Sequence, residues 1–557
     1  MDEGLHPPLT RVPQMTDPGP PDATAGSSTA VADLPDTAAP ANGDPQVTGR
    51  GGISRPRGFD ARPGLPVVLL VVAYGASRVA GAIAGVRYDD SVIKGTPLTD
   101  MWQLLDVRLL KEHLATSVWH LTMQPPLFNL YAGFLLKLPT GLRRPVEVVC
   151  SLGLGLVLVV CAYLLQVELR IPRSAALGVT LVCVVASPAY LLYENWLNYA
   201  YPTAAFTTFG AWSLARFLRT RRARYGFGFF GAYGAMVLLN SSYQVEWLVI
   251  AAIPVVVVLR ARWRTVLAAA ALPLLVVAGW YVKDFAQVGT TTTSSWLGMN
   301  LARSVLYKAP AAQIAALQRQ GRLRPLASVP PFAGPEVYSP KFVIAVPSQV
   351  AAVGPLHKSN GSTNFNNPLY VAVSSKYLHE DLVWIQTHPH AYANDVVNSV
   401  GVWFVGTDQN FTDSINWPAV RTYARIYDKT VEWQPVQDPA PGFVVFARGW
   451  HRPAWLSGQA MAVYALALLG APVVAWRRRR TDPAMAGTLA VLWWTTAYAF
   501  ATSSALEIGE NERFRSELGP VPTVLAVVVI TVMVRAAWSS WEQRRQGPAP
   551  REGPVRG

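Results

Sequence analysis

Ten apolar runs, most of them roughly 20 residues long and so of membrane-spanning length, leave this chain few ways to fold other than as a bundle of membrane helices. They cover residues 66–84, 146–166, 174–193, 199–218, 225–242, 245–259, 265–282, 456–476, 485–504 and 520–538, the run 245–259 being the shortest. In hydrocarbon no water pairs with a backbone N–H or C=O, so each crossing segment must satisfy its own polar groups as a helix. Composition agrees: 51% of residues are hydrophobic, 15% are charged, and 19 Trp with 21 Tyr supply the aromatic load of membrane interfaces. The expectation is an all-α polytopic membrane bundle of about ten transmembrane helices, with a mixed α+β extracytoplasmic domain inserted after the seventh.

Arginines orient the bundle, because short basic loops stay cytoplasmic. Arg50, Arg55, Arg57 and Arg62 precede the first run, and alternation then puts Arg170 and Arg173, the RTRRAR cluster at 219–224, Arg260 to Arg264, Arg477 to Arg480, and Arg544 with Arg545 on the same side. Both termini are therefore expected in the cytoplasm of a multi-pass protein of the plasma membrane. The short apolar stretch Pro126 to Leu138 is expected to lie in the outer interface, since counting it as a span would push RTRRAR outside.

The expected organisation follows. Residues 1–64 are a disordered cytoplasmic tail, poor in aromatic and branched apolar residues. Residues 65–282 form a transmembrane module whose first external loop is 85–145, 283–455 an extracytoplasmic domain, 456–540 the last transmembrane helices, and 541–557 a second disordered tail. In the large domain, helical periodicity covers Tyr370 to Val402, and short strands are expected at Val343 to Val350 and Gly442 to Ala447. No cleavable signal peptide is recognised. Cys150, Cys161 and Cys183 all fall in spans, so no disulfide framework is signalled. The net charge of +14 is accounted for by cytoplasmic arginines against a membrane surface and needs no nucleic acid.

Chemistry concentrates in the first external loop. Asp89 and Asp90 follow the first span, where acids oppose the helix dipole and gain nothing structural, and charge at a membrane boundary is a functional feature by default. Further on, an interfacial helix is expected, with Asp106, His113, Ser117, His120 and Gln124 as a polar stripe suited to a sugar's hydroxyls. Gln124-Pro125-Pro126 ends it. The plainer reading of that stripe is the wet side of an interfacial helix.

The acidic pair after the first span, the H-x-x-x-Q-P-P-L segment (His120, Gln124, Pro125, Pro126, Leu127) and seven spans ahead of a large external insertion resemble the GT-C superfamily of membrane glycosyltransferases. The resemblance is especially to the protein O-mannosyltransferase and aminoarabinose transferase-like branch, and actinobacterial arabinofuranosyltransferases look similar. The resemblance covers about residues 66 to 282. It implies transfer of a sugar from a polyprenyl-phosphate donor to an extracytoplasmic glycan, lipid or protein acceptor, with inversion, an aspartate as general base and no required metal or cofactor.

In that frame Asp89 and Asp90 are the catalytic candidates. Lys283, Arg513 and Arg515 are candidates for the donor phosphate, against snorkelling for Lys283 and salt bridges to neighbouring glutamates for the arginines. Asp106, His113, His120, Gln124 and Glu194 are candidates for sugar or acceptor. His379, His388 and His390, with Asp381 and Asp395, match no metal-ligand spacing, and the histidines read as surface groups; Ser359 to Asn367 (SNGSTNFNN) is polar and reads as a flexible loop. The competing classes are a transporter or flippase of lipid-linked or soluble solutes, and a non-catalytic envelope assembly protein.

Overall fold

The computed structural model describes residues 64–343, 348–406, 408, 411, 414–434, 456–507 and 509–545. The two expected tails fall, apart from a few residues, outside the described residues, as does the strand at 442–447 and the centre of the one at 343–350.

Each of the ten apolar runs is helical. The first is α1 (Leu65–Ile83). The loop after it holds α2 (Val107–Glu112), α3 (Leu114–Trp119) and α4 (Pro126–Lys137), and α5 (Thr140–Glu168) is the second run. The third is α6 (Arg173–Thr180), continued by a wide turn through Val185 and then bent by 58° into α7 (Pro188–Glu194). The bend falls at Ser187-Pro188, where proline can start a helix but not continue one. Next come α8 (Ala200–Thr220), α9 (Ala223–Val237), α10 (Val245–Val258) and α11 (Trp263–Val288).

The following segment carries α12 (Leu297–Ser304), α13 (Ala311–Arg319), α14 (Pro335–Tyr338), α15 (Pro368–Thr387), α16 (Pro389–Trp403) and α17 (Trp417–Thr430). The chain then returns through α18 (Gly458–Ala465), α19 (Ala471–Arg478), α20 (Pro483–Leu506), the short α21 (Asn511–Glu517) and α22 (Val521–Arg545). Among the described residues six helices can cross a membrane by length and composition, or seven with the bent α6–α7 pair, and this marks a multi-pass membrane protein.

The helices that fall short of that test show why the apolar count and the helix count differ. Thr203, Thr207 and Thr208 of α8 are fully buried, and each hydroxyl donates to the carbonyl four residues earlier, at 2.7–2.8 Å. A hydroxyl satisfied by its own helix can sit inside a bundle at little cost. α8 is thus an interior helix, more polar than one facing lipid. By contrast α1 exposes Val72 and Ile83 by 62% and 82%, the pattern of a helix whose outer face meets hydrocarbon.

Two expectations change. Among the described residues no β-strand forms; only the isolated bridges Asp89–Trp196 and His357–Thr363 occur, and the regular structure described after α11 is helices joined by turns and loops. The single interfacial helix expected before Gln124 is two short helices broken at His113 (φ −129°, ψ 46°), and residues beyond His120 are not helical. The stripe from Asp106 to Gln124 therefore does not share one helix face.

Candidate functional site

The segments that the arginine pattern places on one side also meet at one end of the bundle. Met101 to Gln124, the α7–α8 link, the α9–α10 turn, the stretch after α11 and the α20–α21 link surround a cavity of about 510 Å³. That is within the usual size range of small-molecule sites, roughly 300–1,000 Å³.

The floor beneath it is a core of Leu104, Leu121, Met123, Phe128, Trp296, Met299 and Tyr370, which joins the first loop to α12 and α15. Asn129 on α4 is fully buried, accepts from the Leu105 N–H at 2.8 Å and donates to the Gln103 carbonyl at 3.0 Å. From the other direction Asn366 accepts from the N–H groups of Thr122 (2.9 Å) and Met123 (3.2 Å) and donates to the His120 carbonyl (2.9 Å). The first loop is held by side-chain amides where helix bonds would otherwise satisfy its backbone. SNGSTNFNN is accordingly no loose loop: Ser359 donates to Asp106, Asn360 to Asp100, and Asn364 and Asn367 to carbonyls between Ala352 and Pro355.

Aromatic rings form much of the wall, with Trp102, Trp196, Tyr199, Trp296, Phe332, Tyr498 and Phe514 all lining it. Trp102 and Phe332 stack at 5.3 Å. Amides and hydroxyls fill the gaps: Gln103, Gln124, Asn198, Ser242, Gln244, Asn300 and Thr502.

Charge enters in ion pairs around three basic residues, Arg303, Arg513 and Lys358. Arg303 pairs with Glu507 at 3.2 Å, and Arg513 with Glu510 at 2.7 Å. Arg513 also reaches Glu517 at 3.0 Å and lies 5.1 Å from the Tyr199 ring centre. Glu510, its side chain 43% exposed, opens to the cavity. Partial burial works to raise its carboxyl, but the Arg513 and Arg303 guanidiniums outweigh that and hold it below the usual carboxylate range. Glu517, fully buried, is pushed up to about 7 by burial against the pull of Arg513 and the Asn240 amide. The third residue closes the wall from behind: Lys358 donates to Asp100 at 2.8 Å, with its ammonium lowered by burial and partly restored by Asp100.

Of the residues singled out in the sequence, Gln124 and Arg513 line this cavity. Asp89 is joined to the wall through its backbone: its N–H donates to the Asn195 carbonyl and its carbonyl accepts from Leu197, on either side of the lining Trp196. Its carboxylate accepts the Ser91 N–H at 3.0 Å, while Asp90 faces Arg144 at 3.7 Å. Neither carboxylate lines the cavity.

The other candidates are engaged elsewhere. Lys283 is buried against Asp284 and donates to the Leu121 carbonyl at 2.6 Å, over the Trp280 ring. Glu194 takes two nitrogens of Arg78 and the Tyr201 hydroxyl, locking α1 to α7 beside Gly155, where a Cβ would stand 2.8 Å from its carboxylate. Arg515 donates to the Val405 carbonyl and borders a separate, smaller cleft with Glu432. Asp106 caps α2 through the Arg108 N–H, His113 is exposed at the helix break, and His120 is held through its carbonyl.

Arg303, Glu507, Glu510 and the Lys358–Asp100 pair were not among the sequence candidates. The segment GENERFRSELGP drew notice to Arg513, but Arg303 stands in a stretch with no motif around it. Among the described residues no three His, Cys, Asp or Glu side chains group as metal ligands, and the three cysteines are free thiols. Neither a family description nor a curated protein matches the chain.

Proposed function

We propose that the protein is an integral-membrane glycosyltransferase that moves a sugar from a polyprenyl-phosphate donor to a hydroxyl acceptor in the cavity at the loop end of the bundle. The observation that carries this reading is the lining itself: aromatic faces, neutral amides and hydroxyls, and two arginines within one pocket of about 510 Å³. Aromatic and amide walls suit the apolar faces and hydroxyl edges of a sugar. Arg303 and Arg513 suit a phosphate, because guanidinium binds such oxygens through charge-assisted hydrogen bonds.

In the reaction the acceptor oxygen forms a bond to the anomeric carbon while the bond from that carbon to the phosphate oxygen breaks. The electron pair leaves with the polyprenyl phosphate, which the arginines stabilise as charge develops. The acceptor's proton passes to a carboxylate, a role worth typically 10²–10⁴-fold in rate. Asp89 is the proposed base, its backbone tied to either side of the lining Trp196; in this role its carboxylate leaves the Ser91 N–H and turns into the cavity as the acceptor binds. Attack opposite the leaving group inverts the anomeric centre. The acceptor side is extracytoplasmic in the orientation that the arginines favour.

The test is incubation of the purified protein with a panel of polyprenyl-phosphate sugars, following release of the polyprenyl phosphate. Turnover is expected with one donor class and is expected to be lost in D89N and in the D89N/D90N double variant, with membrane insertion intact. Full activity in D89N, D90N and the double variant removes the assignment of the base. No turnover with any donor, together with vectorial solute movement in liposomes, replaces the transferase by a carrier.

A further inference from the structure

A third cleft lies at a different set of helix ends, among Arg170 after α5, Arg478 at the end of α19, Asp482 before α20 and Arg535 on α22. We infer that it is a binding site for the phosphate of an anionic phospholipid. This holds independently of whether the chain transfers sugar.

Three guanidiniums surround one carboxylate here, so the cleft keeps an excess of positive charge after its internal pairing. Asp482 is already committed twice: one oxygen caps α20 through the Met485 N–H at 3.1 Å, and the other pairs with Arg170 at 2.8 Å. Arg535 donates to the Arg170 carbonyl at 2.9 Å, which fixes its guanidinium at the mouth. The room is about 80 Å³, well below the roughly 300–1,000 Å³ of small-molecule sites. It suits one phosphate group and excludes a sugar.

The surroundings favour a lipid over a free anion. Below the arginines the cleft is closed by the buried side chains of Leu169, just past α5, and of Met485 and Val528 in helices long enough to span. Beside Arg535 on α22, Ile530, Met533 and Val534 are 45–61% exposed and offer apolar surface along which an acyl chain can lie. A basic cleft between membrane helices with an apolar flank is the complement of a phospholipid's charged head and tail. By the arginine distribution it faces the cytoplasmic leaflet.

The experiment uses the full chain, delipidated in detergent, with native mass spectrometry reading retained phosphatidylglycerol against phosphatidylcholine. Wild type is expected to keep phosphatidylglycerol, and R170Q/R478Q to lose roughly 10- to 30-fold in apparent affinity, two arginines at the usual contribution each. D482N retains the helix cap, since asparagine caps as well as aspartate, and removes the opposing charge; it is expected to bind at least about 3-fold more tightly. Equal phosphatidylglycerol retention in wild type, R170Q/R478Q and D482N overturns the site. Displacement of the lipid by an equal concentration of glycerol phosphate overturns the lipid assignment in favour of a small anion.

Discussion

Lys358 and Asp100, 258 residues apart in sequence, meet as a buried ion pair with Nζ–Oδ distances of 2.8 and 3.0 Å. The lysine lies in the segment after α11 and the aspartate on the cavity wall, so this pair joins the hydrogen bonds of Ser359, Asn360 and Asn366 in fastening the large insertion to the site.

Removing one member of that pair strands the other charge away from water, which typically costs 3–5 kcal/mol. K358A is therefore expected to lower the melting temperature markedly, with K358M/D100L recovering most of the loss. Thermal unfolding in detergent is the measurement; equal melting of K358A and wild type would show the pair to be structurally idle.

α12 crosses α15 at Gly298, where a Cβ would stand 1.9 Å from the Ser374 carbonyl oxygen. G298A is expected to force the helices apart and destabilise the protein by about 1–3 kcal/mol. Gly231 on α9 has nothing within 4 Å of an added Cβ, so G231A is expected to be neutral or to stabilise by up to about 1 kcal/mol. Melting curves of the two variants should move in opposite directions or differ clearly in size.

Asp381 on α15 is fully buried with neither oxygen hydrogen-bonded, and burial, with Glu380 adding to it, pushes its carboxyl up to about 9. The folded state thus keeps a proton that the unfolded chain releases near pH 4. The contribution is intact below that pH and is lost as pH rises toward 9, with a slope of at most about 1.4 kcal/mol per pH unit. D381N should melt above wild type at pH 8 and converge with it near pH 4. Parallel curves across that range would place the proton elsewhere.

If the cavity holds a donor phosphate, R303Q is expected to raise KM for the polyprenyl-phosphate sugar roughly 10-fold or more, the usual worth of a charge-assisted hydrogen bond. Steady-state kinetics with varied donor check it. An unchanged KM would remove Arg303 from phosphate recognition.

The helices able to cross a membrane were legible because hydropathy reports directly on what faces lipid, whereas the apolar runs at α8, α9 and α10 are helical but fall short of spanning by length and composition. The first loop was not legible. Its apolar spacing is helical, yet Asn129 and Asn366 capture its backbone from elements 24 and 244 residues away, and His113 breaks the helix. Glu194 was flagged for its loop position, but its partner Arg78 sits in α1, and a helical arginine gives no sign of the carboxylate it will meet. Arg513 was found because its neighbouring glutamates made a conspicuous charge cluster. Arg303 had no such company.

The cavity wall draws on residues from Asp100 to Phe514, and none of its contributing segments encloses the space by itself. A chain emerging from the ribosome therefore has no binding site until α20 and α21 are in place. The cavity is a property of the assembled bundle: without the segment from α20 to α21 it loses Glu507, Glu510 and Arg513, and with them both members of one charged pair and one end of another.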